Sequence, residues 1–427
     1  MQGRERFGAD NQGVMMVQSR YVYLVLNLAV SLAAFGRNLV FMRVFGLADL
    51  GQIALMQTIV MLVGFSQIGL VSGSFILWAG GEKKLNESIA NLMFCATLLL
   101  AVGIAAVLLM VGPNIFAPVV AAETLIIGLT GGLATMASSW MNNALVADQR
   151  LLTSSGIGVA AVAVSFVAAL ETLRWPELEI ALVAMALQPL LVMIGVLTFN
   201  RGVRPTELKI CINTVRRVLS VGIQPYLGSL AVLALYQVER WSIIAVLGPE
   251  ALGRYYIVIL FLGFFTLVPV ALMNINFPLA VQAVHAGDDA VFRKVRRRHT
   301  LELAAFAVGG LVLMLIFLVP VLELSLPQFV DSTPLLYLAY IAGVAFMMQD
   351  IGTLMLYAIQ RTGDIFIAGC LTLGSFSTGI FCLWMAGALG LETILYMRVV
   401  ASLIGALWLF VVGKIRVRDS KCVRVGA

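Results

Sequence analysis

The amino-acid sequence predicts an all-α polytopic membrane protein. It has twelve transmembrane helices in two six-helix bundles, related by pseudo-two-fold symmetry around a central cavity. Three observations predict it. Of 427 residues, 61% are hydrophobic and 12% are charged, against about 45–50% and about 25% in a soluble domain. Long apolar runs recur along the whole chain, and the mean hydropathy is +1.00. The basic residues fall in alternate loops. This composition excludes a soluble enzyme, a disordered chain and a secreted disulfide scaffold. Unbroken apolar runs, in place of short alternating segments, exclude a transmembrane β-barrel.

A spanning helix needs about 20 apolar residues. Runs bounded by Gly, Pro or charge fall at 21–45, 50–79, 87–111, 119–146, 152–170 and 178–199, then at 218–246, 251–283, 300–321, 334–359, 365–389 and 393–413. The first run has no A-x-A exit and reads as a retained span, not a cleaved signal. The organisation that follows is a cytoplasmic segment 1–20, a first bundle 21–200, a basic cytoplasmic linker 201–217, a second bundle 218–413 and a basic cytoplasmic tail 414–427. Pro189, Pro225, Pro269 and Pro278 mark breaks or kinks whose freed backbone groups neighbours must satisfy. Gly69-x-x-x-Gly73 and Gly128-x-x-x-Gly132 have the spacing of close helix packing. Cys95, Cys370 and Cys382 lie in apolar runs and read as small core residues. With two histidines and no C-x-x-C pair, no metal site is expected.

One set of loops and termini holds Arg4, Arg6, Arg20, Lys83, Lys84, Arg150, the linker cluster from Arg201 to Arg217 including Lys209, the cluster Arg293–Arg298, Arg361 and the tail from Lys414 to Arg424. That is 22 of the 28 basic residues. The opposite loops hold Glu171, Glu177, Glu179, Glu250, Glu323, Asp331 and Glu392. The positive-inside rule puts the basic set, and both termini, in the cytoplasm. The net charge of +6 is thereby explained as topology. Anionic membrane lipid is a secondary partner, and nucleic acid is not expected. Six basic residues remain. Arg43, Arg174 and Arg254 lie near span ends, where they can snorkel. Arg37, Arg240 and Arg398 lie deeper.

The halves repeat at an offset of 202. Leu28-Ala29-Val30 falls on Leu230-Ala231-Val232, and Val44–Gly51 falls on Val246–Gly253. Six spans per repeat give both halves the same orientation. No P-loop, HExxH, GxSxG or dinucleotide fingerprint is present, so neither ATP hydrolysis nor covalent catalysis is expected and no cofactor is implied.

The doubled element carries a family resemblance. Arg43-Val-Phe-Gly-Leu-Ala-Asp-Leu-Gly51 resembles the first inter-span turn of the Wzx-type, O-antigen-type polysaccharide flippases. These belong to the multidrug/oligosaccharidyl-lipid/polysaccharide (MOP) superfamily. Ser66-Gln-Ile-Gly69-Leu70 is similar to the "dlGl" that follows. Glu239-Arg240 and Leu247-Gly-Pro-Glu-Ala-Leu-Gly253-Arg-Tyr-Tyr256 are similar to "dr…lG-pealG-yY", and Asn274-Ile-Asn-Phe-Pro278 to a late "fP". The sequence departs from that pattern with Glu at 239 and Gln at 67. The resemblance implies a transporter of the bacterial inner membrane that flips undecaprenyl-diphosphate-linked oligosaccharide for O-antigen, capsule or exopolysaccharide synthesis. It also implies a polymerase and chain-length proteins as partners, with the chain itself monomeric. H+ and Na+ are both open as coupling ions.

A diphosphate cargo needs cations and donors along its path, and the planar fork of arginine suits it. Helical spacing puts Tyr226, Ser229, Tyr236 and Arg240 on one face of span seven, and Asn27, Ser31 and Asn38 on one face of span one. Under the repeat Asn27 matches Ser229 and Asn38 matches Arg240. Arg37, Arg240, Arg398, Asn27, Asn38, Ser229 and Tyr236 are therefore the candidate substrate-binding residues. Asp350, in a stripe with Tyr357 and Arg361, and Glu239 are the candidate coupling or gating residues. Arg37 and Glu239 occupy equivalent positions with opposite charge and are expected to pair during the cycle. The alternatives are a cation-coupled multidrug-type exporter of the same superfamily, a lipid II flippase, and a membrane glycosyltransferase or polymerase. The first should show acids and aromatics dominating its lumen, the second usually has fourteen spans, and the third should carry a long loop.

Overall fold

The computed structural model describes residues 3–79, 83–111, 120–148, 150–208, 210–359 and 361–425. Lys209 of the linker and the extreme terminal residues lie outside these. Fourteen helices carry the fold: α1 Gly3–Val44, α2 Leu47–Phe65, α3 Leu70–Ala79, α4 Lys83–Val111, α5 Ala122–Ala147, α6 Leu151–Leu170, α7 Leu178–Phe199, α8 Ile212–Leu247, α9 Pro249–His285, α10 Asp289–Ser325, α11 Thr333–Met347, α12 Gln349–Ala358, α13 Thr362–Met385 and α14 Leu391–Val425. Among the described residues, 12 helical segments are long and apolar enough to cross a membrane, six of them before residue 200 and six after residue 228. The chain is a multi-pass membrane protein.

Two compact units form. One is Met1–Gly46 with Gln52–Tyr226; the other is Leu47–Gly51 with Leu227–Ala427. The division falls inside α8, beyond the linker 201–217 that the sequence suggested. The linker is docked on α4, where Asn91 Oδ1 accepts the backbone N–H groups of Thr206 at 2.9 Å and Glu207 at 3.3 Å. The start of α8 therefore packs with the first unit: Val218 is buried in a core with Trp78, Met93, Trp140 and Val196.

In the first unit α5 packs on α7, and α6 packs on both α1 and α7. In the second, α14 packs on α11, α12 and α13, and α9 packs on α10, α11 and α12. Small residues permit these approaches. A Cβ on Gly132 would lie 2.5 Å from Val63 Cβ, and one on Gly69 would lie 2.8 Å from the Gly222 carbonyl oxygen. Both expected glycine pairs thus serve packing. Outward faces are apolar, as with Leu109 at 87% exposure and Leu324 at 86%. Lipid replaces water as the surrounding solvent there. Cys95 is buried as expected, whereas Cys370 and Cys382 are exposed on α13.

Two spans that the sequence read as single helices are broken. The run 50–79 is interrupted at Ser66–Gly69, where Gly69 adopts φ +82° and Ile68 φ +48°. A left-handed β-branched residue is strained, so its surroundings must hold it. They do so through backbone groups. Ser66 Oγ donates to the Val63 carbonyl at 2.7 Å. Gln67 Oε1 accepts the Val71 N–H at 2.8 Å. The Tyr226 hydroxyl donates to the Phe65 carbonyl at 2.9 Å. Inside a membrane every freed backbone group needs such a partner. The run 334–359 likewise divides at Met348, between α11 and α12.

The repeat appears as a reciprocal contact in the second unit. Gly51 has no room for a Cβ because the Pro249 carbonyl lies against it, and Gly253 has none because of the Leu47 carbonyl. The offset of 202 exchanges the two contacts.

Candidate functional site

Tyr236, Glu239 and Arg240 lie three and four residues apart on α8, so they share a side of the helix. Glu239 Oε2 is ion-paired with Nη1 of Arg398 from α14. Its other oxygen, Oε1, accepts the hydroxyl of Tyr255 from α9. The Arg398 guanidinium carbon stands 4.7 Å from the centre of the Tyr236 ring, within cation–π range. Glu239 and Arg398 are each 1% exposed, Tyr255 is fully buried and Arg240 is 6% exposed. Three helices thus converge on two arginines, one carboxylate and two phenols. Their formal charges leave one positive charge in a place water does not reach.

The first unit has its own arginine. Arg37 on α1 is 7% exposed. Its Nη1 donates to Ser165 Oγ on α6 at 2.5 Å and to Gln188 Oε1 on α7 at 3.0 Å. Ser165 Oγ in turn donates to the Ala184 carbonyl at 2.7 Å. Beside Arg37 lies a cavity of about 440 Å³ whose lining includes Gln57, Thr135, Ser138, Gln188 and Pro189. Pro189 lies inside α7. It supplies no N–H to the Met185 carbonyl one turn back, and Met185 lines the same cavity.

The three deep arginines are therefore buried, and Arg43, Arg174 and Arg254 are exposed, which matches the division drawn from the sequence. Of the other candidates, Tyr236 joins the Arg398 cluster and Asn38 is buried at 8%. Asn27 is exposed and its amide donates to Ser155 Oγ at 3.3 Å. Ser229 is exposed. Asp350 is half-buried on α12, beside Tyr357. Tyr226, read as part of the polar stripe, serves the α2–α3 break. Glu239 and Arg37, expected as partners, each have partners within their own unit.

Four participants escaped the sequence reading. Ser165, Gln188 and Gln57 are neutral and scattered over three helices, so no spacing joins them to Arg37. Tyr255 stands in the doubled element, and a buried tyrosine needs an acceptor. That signal was available. A further polar cluster was also missed. Asn276 on α9 and His299 on α10 are fully buried. The Asn276 amide donates to Glu302 Oε2 at 2.9 Å and lies 3.2 Å from His299 Nδ1. Arg298 closes on Glu302 Oε1 at 2.7 Å. The cluster ties α9 to α10.

No protein-family model matches the chain, and no curated protein sequence matches it. Solved structures do. An inward-facing multidrug resistance MATE family transporter of the MOP superfamily superposes with a TM-score of 0.76 at 13% identity, covering 93% of this chain and 99% of that one. The chain shares this fold. The lipid II flippase MurJ, in an inward closed conformation, superposes with a TM-score of 0.66 at 12% identity, covering 92% of this chain and 87% of its own. A MOP superfamily transporter from Pyrococcus furiosus, described as having a binding pocket of reverse polarity, gives 0.54 at 14% identity, with 96% and 95% covered. This fold thus occurs in a multidrug resistance transporter and in a lipid II flippase.

Proposed function

We propose that this chain is a flippase that moves undecaprenyl-diphosphate-linked oligosaccharide across the bacterial inner membrane, from the cytoplasmic to the periplasmic leaflet, for surface polysaccharide synthesis. One observation carries the reading. Among the described residues the buried arginines and carboxylates are Arg37, Arg240, Arg398 and Glu239, three cations to one anion. Charges within spans are costly and mark the transport path, so this excess of two positive charges points to an anionic cargo. A diphosphate diester carries about two negative charges. The guanidinium fork binds phosphate oxygens in pairs and stays charged whatever its surroundings. Arg240 and Arg398, which share one unit, are the diphosphate ligands. The hydroxyl and amide groups around Arg37 receive the polar part of the cargo.

The test is a strain lacking this protein. Lipid-linked saccharide should accumulate on its inner leaflet and surface polysaccharide should disappear, with the wild-type chain restoring both. A strain with normal polysaccharide that has lost export of organic cations would identify a multidrug-type exporter instead.

A further inference from the structure

We propose that Glu239 is a built-in counter-anion, which neutralises Arg398 in the cargo-free protein and is displaced from it when a diphosphate arrives. The proposal rests on the reading of an anionic cargo and specifies how the site is kept ready for one.

The argument begins with Arg398. At 1% exposure a guanidinium needs a counter-charge close by, because an unpaired buried ion costs far more than a paired one. Glu239 supplies it through Nη1. Yet the pairing leaves the fork incompletely used: Arg398 Nε is buried and has no hydrogen-bond acceptor among the described residues. A buried donor left unmade is expensive in a purely structural ion pair. It is what a second, larger anion with several oxygens would take up.

The charges agree. With Glu239 in place, two arginines and one carboxylate leave one positive charge. With Glu239 withdrawn from Arg398, the two arginines offer two positive charges to a group carrying about two negative ones. The carboxylate is held to the site by two means that do not involve Arg398. Tyr255 donates to its second oxygen, and Arg240 is its neighbour in the chain. A released Glu239 therefore keeps a donor and a nearby cation, and can return once the cargo has left. A structural salt bridge predicts that removing Glu239 only destabilises the protein. A resident competitor predicts that removing it strengthens binding.

The experiment uses purified full-length protein in detergent and farnesyl diphosphate as the probe, with farnesol as the uncharged control, followed by titration calorimetry. Glu239→Gln keeps the side chain's shape and an oxygen for Tyr255 but removes the charge. It should bind the diphosphate at least tenfold more tightly than wild type. In an Arg398→Gln background, adding Glu239→Gln should give a much smaller gain, since the competition for Arg398 is gone. Wild-type binding with no gain in Glu239→Gln overturns the proposal and leaves the anionic-cargo reading standing. Absence of diphosphate binding over farnesol in both wild type and Glu239→Gln overturns the reading itself, and this proposal with it. Should Glu239→Gln not be recovered folded, Glu239→Asp takes its place. It keeps the charge but draws it one methylene back from Arg398, so it should bind more tightly than wild type. Equal or weaker binding overturns the proposal.

Discussion

At Arg398 the energetics are those of a buried ion pair. Arg398→Ala strands the Glu239 carboxylate, and an uncompensated buried charge of this kind costs about 3–5 kcal/mol. Thermal unfolding of the purified variant should show a large drop in midpoint. The double variant Arg398→Met with Glu239→Leu should recover much of it, because the Arg398–Glu239 pair is then removed as a whole. Failure of the double variant to recover would mean that the two groups are not energetically coupled. Arg240 behaves differently. Arg240→Ala should leave protein levels near normal while surface polysaccharide falls at least tenfold. Arg240→Lys should restore only part, since a point charge replaces a planar fork. Normal export from Arg240→Ala at native expression would remove Arg240 from the cargo path.

At the scale of elements, two places hold helices in forms that their sequences alone disfavour. The break between α2 and α3 depends on Tyr226, whose hydroxyl meets the Phe65 carbonyl. Tyr226→Phe keeps the ring and leaves that carbonyl without this donor, a loss of about 1–3 kcal/mol for a buried group. Its unfolding midpoint should fall, and hydrogen exchange at residues 66–71 should speed up. Unchanged exchange there would show that the break is held by Ser66 and Gln67 alone. The second place is the start of α9. Gly253 faces the Leu47 carbonyl with no space for a Cβ, whereas Gly263, one helical stretch further on, faces open space. Gly253→Ala should lower both stability and transport, and Gly263→Ala should change neither appreciably. Equal behaviour of the two would mean that the reciprocal glycine contact is dispensable.

For the whole molecule, the alternation of basic loops predicts both termini in the cytoplasm. A reporter active only in the periplasm should stay silent when fused at Lys209 or at Arg297. It should be active at Glu177, in the loop between α6 and α7 where the acidic residues collect. Activity at Arg297 would invert the second unit. Arg297 lies near the start of α10, whose cap is local: Asp288 Oδ1 accepts the N–H groups of Ala290 at 3.0 Å and Val291 at 2.9 Å, and such caps stabilise helices by about 1 kcal/mol. That cap rests on local contacts alone, and the span that follows it is read from hydropathy.

The sequence by itself determined the membrane character, the number of spans and the identity of the three deep arginines. Each of these depends on hydropathy and charge along the chain, which lipid and water read locally. It also indicated the repeat, whose Gly51 and Gly253 proved to meet equivalent carbonyls. Only the tertiary structure decided the partners. Glu239 and Arg398 are 159 residues apart, and Arg37 is 128 and 151 residues from Ser165 and Gln188. No periodicity links such positions, because helix packing, not spacing along one helix, brings them together. The breaks at Ser66–Gly69 and Met348 were hidden for a related reason. An apolar run reads the same whether its helix is continuous or interrupted, and the interruption survives only where Tyr226 and its neighbours supply the hydrogen bonds that lipid cannot.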